Sequence, residues 1–474
     1  MDPKYKKLLK NTAWILTGNT GSKMLAFLLL PLYTRWLGTE GYGLSDLIST
    51  YSGLLVGVIT LCTAEGIFVF TKNKSVKEQK MYYTSTLKFT LFLFVVWAVV
   101  FLLLQSVVLA ADFHNAFTEH IWLVFGMVLS TFLQNYTQQF VISLEKMKIY
   151  SFTGMVLCIT TFIFSWILIP KWGVEGYVFS LILANVFTSL YSFLASHSWK
   201  YLDIVGFRLH AVKNVLVYSI PLIPNTIMWW LVQALNRPVM ESCLGYSAIG
   251  VYAVANKFPG IITIIFSLFS VSWNVSVFEE YGKPSFEAFY LRIFKLLFLF
   301  LTCGTICFSL SAPLIVKIFA APDFFEAWKY MILLMVGAAI SCMASFYATV
   351  FSVVKKSKYY FYSSIWGAAS SIVANILLIP KFGLYGACAS VVVSYAVMAL
   401  SRYYYSLKFI SVKLLKSTLI YIGMMLFAAI CYLLIDGYLL KIACACISLF
   451  AICFFQKESF SKLMTFLKNR YCNK

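Results

Sequence analysis

The chain has 474 residues, 61% of them hydrophobic and 12% charged, with a formal net charge of +20. A water-soluble domain is nearer half apolar and a quarter charged, so this composition leaves too little polar surface to face water. Apolar stretches of about twenty residues recur throughout, the length a helix needs to cross a hydrocarbon core of roughly 30 Å. Backbone polar groups in lipid must be satisfied within the segment, and sustained alternation is absent, so the stretches are helices and not barrel strands.

In chain order the pattern predicts fourteen spans, at 11–33, 44–70, 87–111, 120–143, 151–170, 175–197, 214–236, 248–278, 293–318, 329–353, 360–379, 384–406, 417–436 and 438–455. The first follows Lys4, Lys6, Lys7 and Lys10, is too long for a signal-peptide core, and has no small-residue cleavage site behind it. The connections are short and leave no room for a soluble domain. Twelve cysteines are scattered without a CxxC pair or a Cys/His cluster, and they read as small apolar packing residues, not as metal ligands or disulfides.

Orientation follows from lysine and arginine. The N-terminus, alternate connections and the C-terminal tail carry 29 of the 38 basic residues, and the opposite connections with their helix ends carry seven. The basic side is read as cytoplasmic, with both termini there. The net charge is then a topology signal with attraction to anionic headgroups, in place of a nucleic-acid surface.

The chain repeats itself. Residues 166–176 read WILIPKWGVEG and residues 376–386 read ILLIPKFGLYG, six identities in eleven at an offset of 210. Pro31, Leu37, Gly38 and Gly43 correspond to Pro238, Leu244, Gly245 and Gly250 at an offset of 207. Six spans per copy make the repeats parallel, an arrangement in which transporters place substrate between the halves. The expected fold is an all-α integral membrane protein: a lobe over 1–205, a second over 206–410, and two further helices with a basic tail over 411–474.

Two stretches carry a family resemblance: PLYTRWLGTEGYGLSDLI at 31–48 and GVYAVANKFPGIITIIFSLFSVSWNVSVFEEYGK at 250–283. They resemble signatures of the Wzx-type flippases of lipid-linked oligosaccharides, in the superfamily that also holds the lipid II flippase and the multidrug/toxin extruders. The resemblance implies a protein of a bacterial cytoplasmic membrane that moves an undecaprenyl-diphosphate-linked oligosaccharide to the outer leaflet by alternating access. The product would serve cell-surface polysaccharide of O-antigen, capsule, exopolysaccharide or teichoic acid type. In some members a cation gradient, H⁺ or Na⁺, is implied to drive the cycle. A polysaccharide polymerase and export machinery are implied partners, beside membrane lipids.

Polar residues inside spans single themselves out, because a central charge costs about 2.5–3.5 kcal/mol on insertion scales. Lys23 in the first span and Lys257 in the eighth are candidates to hold a diphosphate, since an ammonium pairs with phosphate as a point charge. The plainer alternative is snorkelling or an acid partner. Arg35 and Arg237, at outer span ends, would meet departing anionic substrate or lipid headgroups. Gln134 and Gln138 of the fourth span suit sugar hydroxyls or helix–helix hydrogen bonds. Asn225 lies beside Pro221 and Pro224, which predict a bend in the seventh span. Glu65 in the second span is a candidate site for a coupling cation, or snorkels to the interface. Asp46 is expected to cap the start of the second span.

Two other classes are weighed. A multidrug extruder of cationic cargo would want acids where Lys23 and Lys257 stand. A membrane-embedded polymerase or acyltransferase would need a catalytic constellation, and none of the four histidines pairs with an acid at helical spacing inside a span.

Overall fold

The computed structural model describes residues 27–111, 115–203, 206–412 and 414–434. The fourteenth predicted span, most of the first, Lys23 and both termini lie outside them. The helices in order are α1 (Leu30–Ile59), α2 (Thr63–Thr71), α3 (Val76–Ala111), α4 (Ala116–Glu119), α5 (Ile121–Ser143) and α6 (Met147–Ala195). There follow α7 (Leu209–Ser219), α8 (Ile223–Ala234), α9 (Asn236–Leu244), α10 (Tyr246–Lys257) and α11 (Pro259–Glu280). The series closes with α12 (Phe286–Phe319), α13 (Ala327–Val353), α14 (Lys358–Ser406) and α15 (Leu415–Leu434). Among the described residues, nine helical stretches are long and apolar enough to cross a membrane. The protein is a multi-pass membrane protein.

The repeated motifs build the same local structures twice. In α6 the backbone leaves helical geometry at Gly173 (φ 52°, ψ −123°), and in α14 at Gly383 (φ 55°, ψ −132°). Both angles lie where a Cβ is strongly disfavoured, so glycine is required. The chain folds back sharply at each point: a Cβ on Gly176 would overlap the Leu168 carbonyl, and one on Gly386 the Leu378 carbonyl. The two arms are tied by polar rungs. In α6 these are Thr153–Ser192 at 3.1 Å and Ser165–Ser180 at 3.0 Å. In α14 they are Ser363–Arg402 at 3.1 Å and Asn375–Ser390 at 2.7 Å. Each second-copy rung stands 210 residues after its first-copy counterpart, so the two hairpins share one register. The other motif behaves alike: Pro31 and Pro238 sit in the first turn of a helix, and Gly38 and Gly245 take positive φ.

By contact the chain forms two units, one of residues 1–230 with Gly245–Gly250, the other of Leu231–Leu244 with 251–474. In the first unit α5 packs on α1, α2 and α6, while α7 packs on α2 and α3. Gly43 of α1 and Gly250 of α10 bring their helices into backbone contact there, because a Cβ on either would overlap the other segment's carbonyl oxygen. Ser247 Oγ donates to Thr39 Oγ1 at 2.8 Å beside that crossing. In the second unit α13 is the central helix, with α11, α12, α14 and α15 around it. Its core is aromatic: Trp273 stacks on Phe346 at 4.6 Å, and Phe346 meets Tyr290 at 4.8 Å.

Candidate functional site

The second predicted span is not continuous. α1 ends at Ile59 and α2 begins at Thr63, with Leu61 (φ 51°) and Cys62 (φ 52°) both left-handed. Two successive non-glycine residues in that region are strained, and irregular backbone at membrane depth persists only where protein or a cavity satisfies it. The seventh predicted span is interrupted as well: α7 passes through a 3₁₀ turn at Ile220–Leu222 before α8 begins. Pro221 in that turn and Pro224 just after it cannot donate to the preceding carbonyls, which accounts for the switch to a 3₁₀ turn at the place where the prolines predict a bend.

These two interruptions lie against each other in the first unit. Cys62 Sγ is 3.8 Å from Thr226 Oγ1, and a Cβ on Gly57 would touch the Thr226 methyl at 3.0 Å. On the far side of the break, a Cβ on Gly66 would lie 2.5 Å from Ser219 Oγ. That hydroxyl is buried and has no hydrogen-bond partner among the described residues. Trp230 Nε1 donates to the Thr50 carbonyl at 2.9 Å, fixing α8 along α1.

Glu65 stands in the first turn of α2, between the two breaks and next to Gly66. Its side chain is exposed, and it forms no ion pair among the described residues. A carboxylate in the first turn is favoured by the helix dipole, so the new N-terminus at Thr63 supplies part of its stabilisation. Asn225, half-buried, precedes Thr226 on α8. Gln134 is buried and Gln138 half-buried, one helical turn apart on α5. Thr71 donates to Ser143 at 2.7 Å and Tyr51 packs on Phe117, so α1–α2 and α4–α5 run the same way. Counting back from the Thr71–Ser143 bond puts Glu65 and Gln138 at similar depth, roughly one and a half turns away. In the first unit Glu65, Asn225, Gln138 and Gln134 thus lie at a depth comparable with that of the paired breaks.

The second unit holds a different set. Arg237, expected at an exposed span end, is 8% exposed, because the chain continues helically through α9 after it. Its Nη1 donates to the Gln233 carbonyl at 3.1 Å, and its guanidinium lies over the Tyr252 ring at 5.3 Å. Asn236 Nδ2 donates to Tyr252 Oη at 2.5 Å. Five residues on, Lys257 closes α10 just before Pro259 opens α11. It is half-buried, and no hydrogen bond or ion pair holds its ammonium among the described residues. Arg35 on α1 is exposed and belongs to the first unit. Asp46 lies inside α1, whose second arm starts after Gly38, so it does not cap the helix.

Residue patterning missed several neighbours. Cys62, Ser219 and Thr226 carry no charge, and no proline or glycine marks residues 60–62. Arg402, counted among the basic residues of a cytoplasmic connection, is fully buried inside α14. Its guanidinium stacks over Tyr360 at 4.4 Å, and Nε donates to Ser363 Oγ at 3.1 Å.

The sequence profile of a family described as polysaccharide biosynthesis protein matches residues 8–273. The Lsg locus putative protein 1 of Haemophilus influenzae is 25% identical over 270 residues, a match that takes in 54% of this chain and 63% of that protein. The fold is similar to that of the lipid II flippase MurJ in an inward closed conformation, with a TM-score of 0.65, 15% identity, and 93% and 98% of the two chains covered. It is also similar to a multidrug resistance MATE family transporter of the MOP superfamily in an inward-facing conformation, with a TM-score of 0.61, 15% identity, and 82% and 98% covered. At such identities the structures speak for the fold, and the profile, which spans more than half of the sequence, speaks for the family. This chain belongs to the polysaccharide biosynthesis protein family and has the MurJ/MATE-like fold.

Proposed function

We propose that the protein is a flippase. It carries an undecaprenyl-diphosphate-linked oligosaccharide from the cytoplasmic to the outer leaflet of a bacterial cytoplasmic membrane, for the synthesis of a cell-surface polysaccharide. The observation that carries this reading is Lys257: a half-buried ammonium where Pro259 divides α10 from α11, with no acid to neutralise it among the described residues. An unpaired cation within a membrane span is costly unless it serves a ligand. A diphosphate is a fitting ligand, and the cationic cargo of a drug extruder is not. Family membership and the flippase likeness of the fold support the same class. Lys23, Arg35 and Arg237 are retained as further anion contacts, and Gln134, Gln138 and Asn225 as partners for sugar hydroxyls.

Glu65 is assigned to coupling. A carboxylate at the start of a broken helix, without an ion pair among the described residues, suits H⁺ or Na⁺, because discontinuous spans are where transporters coordinate ions. Polymerase and export machinery would act next on the translocated product.

The test is export in a host lacking its own copy. Lys257→Ala and Lys257→Glu are expected to abolish surface polysaccharide while protein level in the membrane stays normal. Full export by both variants would remove Lys257 from the substrate path. Glu65→Gln is expected to lower export and flatten its dependence on external pH or Na⁺. An unchanged dependence would exclude Glu65 as the coupling site. A lowered drug susceptibility on overexpression, with no effect on polysaccharide, would favour the extruder.

A further inference from the structure

A groove of about 420 Å³ runs along the first unit between α3 and α7, lined by Phe89, Leu209, Val212, Lys213, Leu216, Val217, Ile220 and Pro221. Leu209, Lys213, Leu216 and Ile220 fall on one stripe of the helix, at spacings of three and four residues. Leu209 is 70% and Val217 69% exposed, so the groove is open to whatever surrounds the span. The span that contains it, Leu209–Ala234, is apolar enough to cross a membrane, so its surroundings are lipid. From Leu209 to Ile220 is about 16 Å of helix, close to the depth of one leaflet of a roughly 30 Å hydrocarbon core.

The charge sits at one end. Lys213 enters the groove a turn after α7 begins, and Arg208 precedes the helix, its backbone N–H donating to Ser85 Oγ at 3.0 Å; both side chains are exposed and neither has a hydrogen-bond or ion-pair partner among the described residues. No acid lines the groove. The nearby Asp203 carboxylate accepts from the Gly206 backbone N–H at 2.9 Å, and the Lys88 ammonium donates to the Asp203 carbonyl at 3.0 Å. Those bonds hold the connection in place at the charged end. One leaflet's depth of apolar wall beneath two free cations matches a lipid with an anionic headgroup, the pattern of basic pockets between spanning helices.

We propose that this groove is a binding site for an anionic phospholipid of the membrane, with an acyl chain along Leu216, Val217 and Ile220 and the phosphate at Arg208 and Lys213. The site uses none of the residues assigned to substrate or coupling above and does not depend on the flippase reading. Its deep end reaches Pro221, in the interruption between α7 and α8, so the bound chain braces the segment that bends.

The experiment is native mass spectrometry of the full chain, delipidated in detergent and titrated with phosphatidylglycerol or with phosphatidylcholine of the same acyl chains. Phosphatidylglycerol is expected to bind at least roughly tenfold tighter, and the double variant Arg208→Glu/Lys213→Glu is expected to erase that preference. Lys355→Glu is the charge control. Lys355 is exposed, and its counterpart one repeat earlier, Glu145, already holds a glutamate at the same positive φ. It should leave binding unchanged. Val217→Trp, at an exposed position, fills the groove and should weaken both lipids with the cations intact; Leu209→Trp repeats that test should the first fail to fold. The proposal is overturned by equal affinity for the two phospholipids, by an equal loss in Lys355→Glu, or by unaltered binding in both tryptophan variants. Displacement of phosphatidylglycerol by equimolar polyprenyl diphosphate would overturn it too, by giving the groove to the transported lipid.

Discussion

Arg237 and Arg402 show how one unit holds guanidinium groups in its interior. Each lies over a tyrosine face, Tyr252 at 5.3 Å and Tyr360 at 4.4 Å, and Tyr395 is within electrostatic reach of both. A delocalised cation on a ring loses less on leaving water than an ammonium would, so lysine is a poor replacement. Arg402→Lys is expected to cost about 1–2 kcal/mol through the lost stack and the lost Nε bond to Ser363. Tyr252→Phe removes the acceptor of the buried Asn236 amide and should cost about 1–3 kcal/mol. Thermal unfolding of the purified chain in detergent checks both. The sequence pointed to Arg237 but placed it at a wet helix end, and it counted Arg402 with a connection. Position along the chain cannot show burial when the covering ring comes from another helix or from the opposite arm of a hairpin. Lys257 and Glu65 were legible because a lone charge in an apolar run stands out in one dimension.

At the scale of elements, proline and glycine divide what could be read from what could not. The Pro-Lys-aromatic-Gly motif announced a turn in both copies, and the structure adds that the turn is a hairpin of fixed register. Gly173 and Gly383 sit at angles that a side chain opposes, so Gly173→Ala and Gly383→Ala should each cost about 1–3 kcal/mol. Because the hairpins match, the two losses should be alike, seen as equal drops in melting temperature or in membrane-inserted yield. An irregularity between α7 and α8 was equally legible from Pro221 and Pro224, and it takes the form of a 3₁₀ turn. The break at 60–62 was not: it is imposed by tertiary packing of Cys62 and Gly57 on Thr226, and nothing local requires it. If the α7–α8 interruption moves during transport, the double variant Pro221→Ala/Pro224→Ala should let the helix straighten and reduce export severalfold. Restoring two backbone donors inside a helix does not destabilise it, so the melting temperature should hold or rise. A fall in melting temperature that tracks the loss of export would assign the prolines to folding alone.

For the whole molecule, composition carried furthest, because lipid leaves a chain few choices. A segment that must satisfy its own backbone is a helix, and cations stay on the side from which they cannot be translocated. The repeat then makes a sharp demand. With six spans per copy, as the sequence predicts, corresponding turns of the two copies lie on the same side of the membrane, so Lys171 and Lys381, exposed at the two hairpin tips, are expected to face the same compartment. Lys148, in the first turn of α6, and Lys355, in the connection before α14, are both exposed and are expected to face the opposite one. Single cysteines at the four positions, in a chain whose twelve native cysteines are first changed to alanine, turn this into a labelling experiment on intact cells. A membrane-impermeant maleimide should modify Lys171→Cys and Lys381→Cys directly, and Lys148→Cys and Lys355→Cys only after permeabilisation. Labelling of 171 and 381 from opposite sides would mean an odd number of crossings between them. The two copies would then be inverted, and the shared register of α6 and α14 would have to arise without a parallel repeat.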